Sequence, residues 1–226
     1  MRSLTKIAEP QVLADNATDW LAAFKEQPDN SYRRFRYRHD GIKGALKVET
    51  GNKCVYCESK IGHNTPGDVE HKIPTSKNID KHFEWENLTI ACTECNRRKD
   101  DFYKQFDGFV DPYVDDIAAM LQHLGPLVHW APGDARAETA VKILELHNAA
   151  RIELLSRKAD KLEETAGLVE RYRNAKEPAL KAVLFQQLLS MADALAEYSA
   201  MVVAALRRKG VLPLLPSSGA PPAGDK

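Results

Sequence analysis

The only cysteines in the chain form two Cys-x-x-Cys pairs, Cys54 with Cys57 and Cys92 with Cys95. In such a pair a tight turn supports thiolate charge with its backbone N–H groups. Two pairs close a tetrahedral four-thiolate site with no open position, the donor set of structural zinc. The 34 residues between the pairs are many for a simple finger, so a small substructure is expected between the two knuckles. That stretch carries a second set of polar groups. Glu70 and His71 are adjacent: in a regular strand they point to opposite faces, whereas at a bend or an irregular strand end both can address one site. Asn96 directly follows the last cysteine, where a helix is expected to begin, and such a helix would hold it over the Glu70–His71 strand. Arg97, Arg98 and Lys99 would line its first turns, suited to contacts with a phosphodiester.

The elements that must hold these groups are legible to different degrees. Residues 1–30 read as an irregular arm with one short helix capped by Asp15 or Asn16, with Trp20, Leu21 and Phe24 as its apolar face. Residues 31–50 are basic: Arg33, Arg34, Arg36, Arg38, Lys43 and Lys47 outweigh Asp40 and Glu49, and Tyr32, Phe35 and Tyr37 are interleaved with the arginines. Two readings stand side by side: a phosphate-contacting helix or helix pair, or a solvated helix face with its aromatics turned inward. Gly125 to Trp130 reads as a strand before an Ala131–Asp134 turn. The steps of three and four from Val141 to Val169 predict one long helix over 138–173, spanning about 54 Å. After a break at Asn174–Pro178, the stripe from Leu180 to Ala205 predicts its antiparallel partner. The Pro/Gly/Ser-rich end, 211–226, reads as disordered.

At the centre, Glu70-His71-Lys72-Ile73-Pro74, then Asn87-Leu88 running into Cys92–Cys95, then Asn96 to Lys99, resembles the HNH endonuclease motif. That motif is a zinc-stapled ββα-metal finger. The resemblance spans residues 54 to about 100. It implies that Glu70 and Asn96 bind a catalytic Mg²⁺ or Mn²⁺, that His71 activates water, and that Asn87 orients His71 by hydrogen bonding. Glu70 stands where Asp is more usual and Asn96 where His is more usual. Both keep hard oxygen donors, which favour those metals over softer ones. Asp68, two residues before Glu70, is the competing carboxylate. The Trp85-x-Asn87-Leu88 block, the Asp111-Pro112-Tyr113 stretch and residues 139–148 carry a narrower similarity, to the HNH subunits of Septu-type anti-phage systems and related retron modules. This implies an ABC/SMC-like ATPase partner. The chain has no Gly-x-x-x-x-Gly-Lys-Ser/Thr loop with which to bind ATP itself.

The expected fold is therefore α+β and mostly helical: an HNH finger over 51–110, preceded by an arm and basic helical segment over 1–50. A helical partner or scaffold region over 111–210 and the tail over 211–226 follow it. Thirty-two basic residues balance thirty-two acidic ones, so net charge points to no partner and only local clusters can bind nucleic acid. With no signal-like apolar run and no membrane-length segment, the expected location is cytoplasmic, with the cysteines on zinc. DNA is the favoured substrate, with RNA as the alternative. A non-catalytic zinc-stapled binding module would need the cysteines and the basic run, but not Glu70, His71 and Asn87 together. His63 and His82 read as solvated loop histidines. Glu58, beside the first knuckle, is read either as accepting a hydrogen bond from the basic helix or as having no role.

Overall fold

The computed structural model describes residues 1–62, 66–103 and 109–213. In chain order its elements are α1 (Gln11–Glu26), α2 (Ser31–Arg34), a 3₁₀ turn (Phe35–Arg38), α3 (Asp40–Glu49) and β1 (Asp68–His71). Then come β2 (Leu88–Ala91), α4 (Thr93–Lys99), α5 (Ile117–Met120), β3 (Leu121–Leu124) and β4 (Leu127–Trp130). The chain continues with α6 (Ala135–Ile143), α7 (Ile152–Asn174), α8 (Pro178–Ala192) and α9 (Ser199–Arg208). The fold is mostly helical α+β with two small antiparallel sheets, β1–β2 and β3–β4. No helix among the described residues is long and apolar enough to cross a membrane.

The finger is β1, β2 and α4. Glu70 pairs with Thr89 and His71 with Leu88, and the backbone N–H of Val55 in the first knuckle donates to the Ile90 carbonyl. Leu88, Ile90 and Ala91 are fully buried, so β2 is the apolar centre against which the polar β1 is displayed. Two staples beyond the finger fix its orientation. Lys6 donates to the Leu88 carbonyl at 2.7 Å and lies over the Trp85 ring, and Tyr113 donates to Glu49 at 2.6 Å while taking a hydrogen bond from Thr89.

Several expectations change. The first helix starts at Gln11 after Pro10, so Asp15 and Asn16 lie inside it and not at its cap. Pro10 preorganises the start. The stripe across 138–173 is not one helix. It breaks after α6, where Glu145 takes a left-handed backbone conformation and Asn148 caps the turn that opens α7 by accepting from the Ala150 N–H. Asn148, the one polar residue in the stripe, is thus a cap. The second stripe also breaks, between α8 and α9. Of the C-terminal strand reading, β4 is present and pairs with β3. His63 and residues 214–226 of the tail lie outside the described residues.

The α8–α9 break has a physical cause. The buried Lys53 ammonium donates to the Ala194 and Ala196 carbonyls at 2.7 and 2.8 Å and pairs with Glu58 at 3.3 Å. Glu58 also takes hydrogen bonds from the chain's N-terminal ammonium and the Ser199 hydroxyl. Burial alone would push the Glu58 carboxyl up. The N-terminal ammonium and Lys53 instead hold it down, at about 2. Glu58 thus joins the first knuckle to the C-terminal helices. Glu58→Gln leaves two buried cations without their counter-charge and is expected to lower stability by about 3–5 kcal/mol. Urea denaturation checks this, and a loss below about 1 kcal/mol would show that the network is not a buried charge centre.

Candidate active site and zinc centre

The four cysteine sulfurs lie within 4.8 Å of one another. The Cys57 thiol donates to the Ser59 hydroxyl at 3.3 Å, and the Cys95 N–H donates to Cys92 Sγ, which caps α4. Contact with Cys54 pulls the Cys57 and Cys92 thiols below their ordinary value, while burial pushes Cys54 up and contact with Cys54 pushes Cys95 up, the signature of four thiols sharing one small volume. From outside the motif, the Arg151 guanidinium donates to Cys95 Sγ at 3.1 Å, placing positive charge against the cluster. Four converging soft donors with no carboxylate among them fit zinc.

Beside this centre, Glu70 and His71 are the last two residues of β1, and Lys99 reaches both, Glu70 through its carboxylate and His71 through its carbonyl. Glu70 is buried. Its Oε1 meets Lys99 Nζ at 2.6 Å and lies 3.5 Å from the Tyr56 hydroxyl. Burial pushes its carboxyl up, and Lys99 opposes that shift. Oε2 makes no hydrogen bond among the described residues. Asn96 stands one turn before Lys99 on the same face of α4. Because α4 starts at Thr93, Asn96 falls in its second turn and not at its beginning. Its side chain makes no hydrogen bond among the described residues. One carboxylate and one amide oxygen remain hard donors suited to Mg²⁺ or Mn²⁺. Lys99 was expected on the nucleic-acid surface, but it is 1% exposed and donates to both Glu70 and the His71 carbonyl. It is the internal counter-charge of the site.

His71 is fixed by its backbone neighbours. Its Nε2 lies 2.9 Å from the His82 carbonyl. A carbonyl only accepts, so Nε2 carries the proton and Nδ1 keeps the lone pair. The ring stacks on His82 at 4.7 Å and meets the edge of Tyr37 at 4.6 Å. Burial, followed by the neighbouring His82, lowers its pKa to about 3, so the imidazole is neutral at physiological pH. His82 is 1% exposed, not solvated. Its Nε2 donates to the Arg34 carbonyl at 2.8 Å and its Nδ1 accepts from Thr75 at 2.7 Å. Sequence reading missed this role. The available signal was Phe83 and Trp85, which pull the loop inward.

Asn87 is buried, but its bonds do not go to His71. Its Oδ1 accepts from the Ile73 N–H at 2.8 Å, and its Nδ2 donates to the Ile73 and Lys81 carbonyls at 3.0 and 2.9 Å. It latches both ends of the loop that brings the His82 carbonyl to His71, so it positions His71 through the backbone and not directly. The other candidate cations are divided. Arg33 is held by the Ala23 carbonyl and Glu26, and Arg98 by Glu94 and Glu145. Arg97 is mostly exposed and, among the described residues, pairs only with Glu94. Arg34 and Arg36 make no ion pair among the described residues.

A zinc-type cysteine cluster stapling a ββα unit, with an acidic–histidine pair on its first strand, defines a class: residues 54–102 match the HNH endonuclease family. The chain carries an HNH endonuclease domain. More particularly, it is similar to the Septu protein PtuB of Bacillus thuringiensis, at 29% identity over 113 residues. That match covers 49% of this chain and 43% of the relative. It is also similar to the Septu protein PtuB of Bacillus mycoides (strain KBAB4), at 24% identity over 187 residues, covering 65% of this chain and 63% of the relative. Neither alignment reaches two thirds of the relative's length.

Proposed function

We propose that the chain is a metal-dependent endonuclease hydrolysing phosphodiester bonds of nucleic acid, with DNA the favoured substrate. It would serve as the nuclease subunit of an anti-phage defence complex with a PtuA-like ABC/SMC-type ATPase. One observation carries the catalytic part: a neutral His71 whose Nε2–H is committed to the His82 carbonyl, leaving Nδ1 as a base on the strand that also bears Glu70. His71 Nδ1 takes the proton of the attacking water. Glu70 and Asn96 would hold a divalent cation, which when bound supplies charge stabilisation at the phosphate and the leaving oxygen. Lys99 keeps Glu70 from standing as an uncompensated buried charge. The partner assignment is supported by the likeness to PtuB and by α8, which leaves Leu180 and Val183 47% and 55% exposed.

The test is cleavage of plasmid DNA and of total RNA by the complex copurified from its native host, with added Mg²⁺. Cleavage should depend on the divalent metal. Glu70→Ala should lose most of it, with partial recovery at high Mg²⁺ or Mn²⁺, whereas Asp68→Asn should be mild. If the native complex cleaves neither substrate, the non-catalytic binding module becomes the better reading.

A further inference from the structure

Trp20, Tyr32, Phe35, Arg36, Arg38 and His39 surround an open hollow of about 590 Å³. Its wall is unusual for a surface that has no partner. Tyr32 is 75% exposed and Phe35 38%, and only Tyr37, of the three aromatics in the basic segment, turns inward. The cations lie on the rings instead of pairing with acids: Arg36 is 4.8 Å from the Tyr32 ring and Arg38 4.3 Å from that of Phe35. Neither arginine makes an ion pair among the described residues. Exposed aromatic faces alternating with unpaired guanidinium planes are what an unstacked base and its flanking phosphates require. A duplex keeps its bases stacked on one another and offers those faces nothing to hold.

The hollow is also tied to the candidate active site. Phe35 meets Tyr37 at 6.2 Å between ring centres, and Tyr37 meets His71 at 4.6 Å. The Arg34 carbonyl accepts from His82, whose own carbonyl holds His71. Phe35, on the wall of the hollow, is two ring-to-ring steps from His71.

We propose that this hollow is a binding site for an unpaired nucleobase, so that the protein takes single-stranded or locally unpaired nucleic acid in preference to intact duplex. The inference rests on the nuclease reading for the position of the scissile phosphate, but binding of the base does not need cleavage. Tyr32 supplies an exposed stacking face, and Arg36 and Arg38 supply stacking planes and charge for the adjoining phosphates.

Binding of a fluorescent single-stranded DNA oligonucleotide of about 12 nucleotides, and of its duplex, tests this on the full chain without added Mg²⁺. Tyr32→Ala should weaken single-strand binding on the order of tenfold or more. It should leave duplex binding and the salt dependence unchanged, while Tyr32→Trp should retain wild-type affinity. Arg36→Ala should instead reduce the salt slope by about one. Unchanged single-strand affinity in Tyr32→Ala would overturn the site and leave the nuclease reading intact. Equal loss on both oligonucleotides would overturn it in favour of a plain phosphate surface. Loss of the ATPase partner with oligonucleotide affinity unaltered would overturn it in favour of a protein interface. The expected binding pattern in a protein that cleaves nothing would keep the base site and remove the nuclease reading.

Discussion

Replacing His71 with alanine is expected to lower nucleic-acid cleavage on the order of 10²-fold or more while leaving zinc content and substrate binding near wild type. The size follows from the usual contribution of a positioned general base. The selectivity follows from geometry. Among the described residues the His71 side chain makes one hydrogen bond, to the His82 carbonyl, and none to the cysteines or to Glu70. Its loss removes the lone pair at Nδ1 without uncovering a buried charge. The measurement is initial cleavage rate for wild type and His71→Ala, with the partner present, on both DNA and RNA. Asn87→Ala serves as the companion variant. Because Asn87 latches Ile73 and Lys81, its removal should loosen the His82 carbonyl and reduce the rate through misorientation, with no recovery on adding Mg²⁺. Equal rates in wild type and His71→Ala would end the assignment of His71 as base.

Cys95→Ser is expected to unfold residues 54–102. Binding of structural zinc by four thiolates contributes about 10–16 kcal/mol in small zinc domains, as much as or more than the 5–15 kcal/mol that holds a typical domain together. Here the cysteine sulfurs tie the first knuckle to the start of α4. β1 and β2 alone form a two-stranded ribbon, which is marginal in water. Cys95 is fully buried and takes a hydrogen bond from Arg151, so serine would also take a thiolate's charge away from that guanidinium, which keeps the Leu144 carbonyl as an acceptor. Metal analysis should find about one zinc per wild-type chain, retained in mild EDTA. Limited proteolysis of Cys95→Ser should open the finger between its knuckles. A zinc-free preparation that resists proteolysis as well as the wild type would sink the structural-zinc assignment.

How much of this was readable in one dimension depended on the range of each interaction. The knuckles are local: two residues between thiols fix a turn, so four cysteines and their clustering could be derived from spacing alone. The residues themselves placed a strand at Glu70–His71 and a helix near Asn96, and the ββα order came with the HNH resemblance that Glu70, His71, Asn87, Cys92–Cys95 and Asn96 carry. Helical periodicity in 138–208 placed Val141, Leu144, Val169, Leu184, Leu188 and Val202 inward, as they are, but Ile152, Leu180 and Leu195 are exposed and Leu154, Lys158 and Thr165 are buried instead. It could not tell a continuous helix from a broken one, since a stripe survives a break when the capping residue, as at Asn148, falls in register. The α8–α9 break depends on Lys53, more than a hundred residues away, and no local pattern announces it.

The same division runs through the site. Types and order of the polar groups belong to the sequence by itself, which therefore determined the class of chemistry: closed thiolate coordination beside a hard-donor, imidazole-bearing strand. Which groups face one another was decided only in three dimensions. Lys99 reads as one more surface cation in a basic run, yet the pitch of α4 turns it inward onto Glu70, because a buried carboxylate needs a counter-charge more than a phosphate surface needs a third cation. His82 reads as a loop histidine, yet aromatic packing against Phe24, Tyr37 and Phe83 buries it and makes its carbonyl the group that sets the tautomer of His71. Asn87 reaches His71 only through that backbone. Hydrogen bonds between segments distant in sequence are chosen by packing, and packing is settled by the whole chain at once.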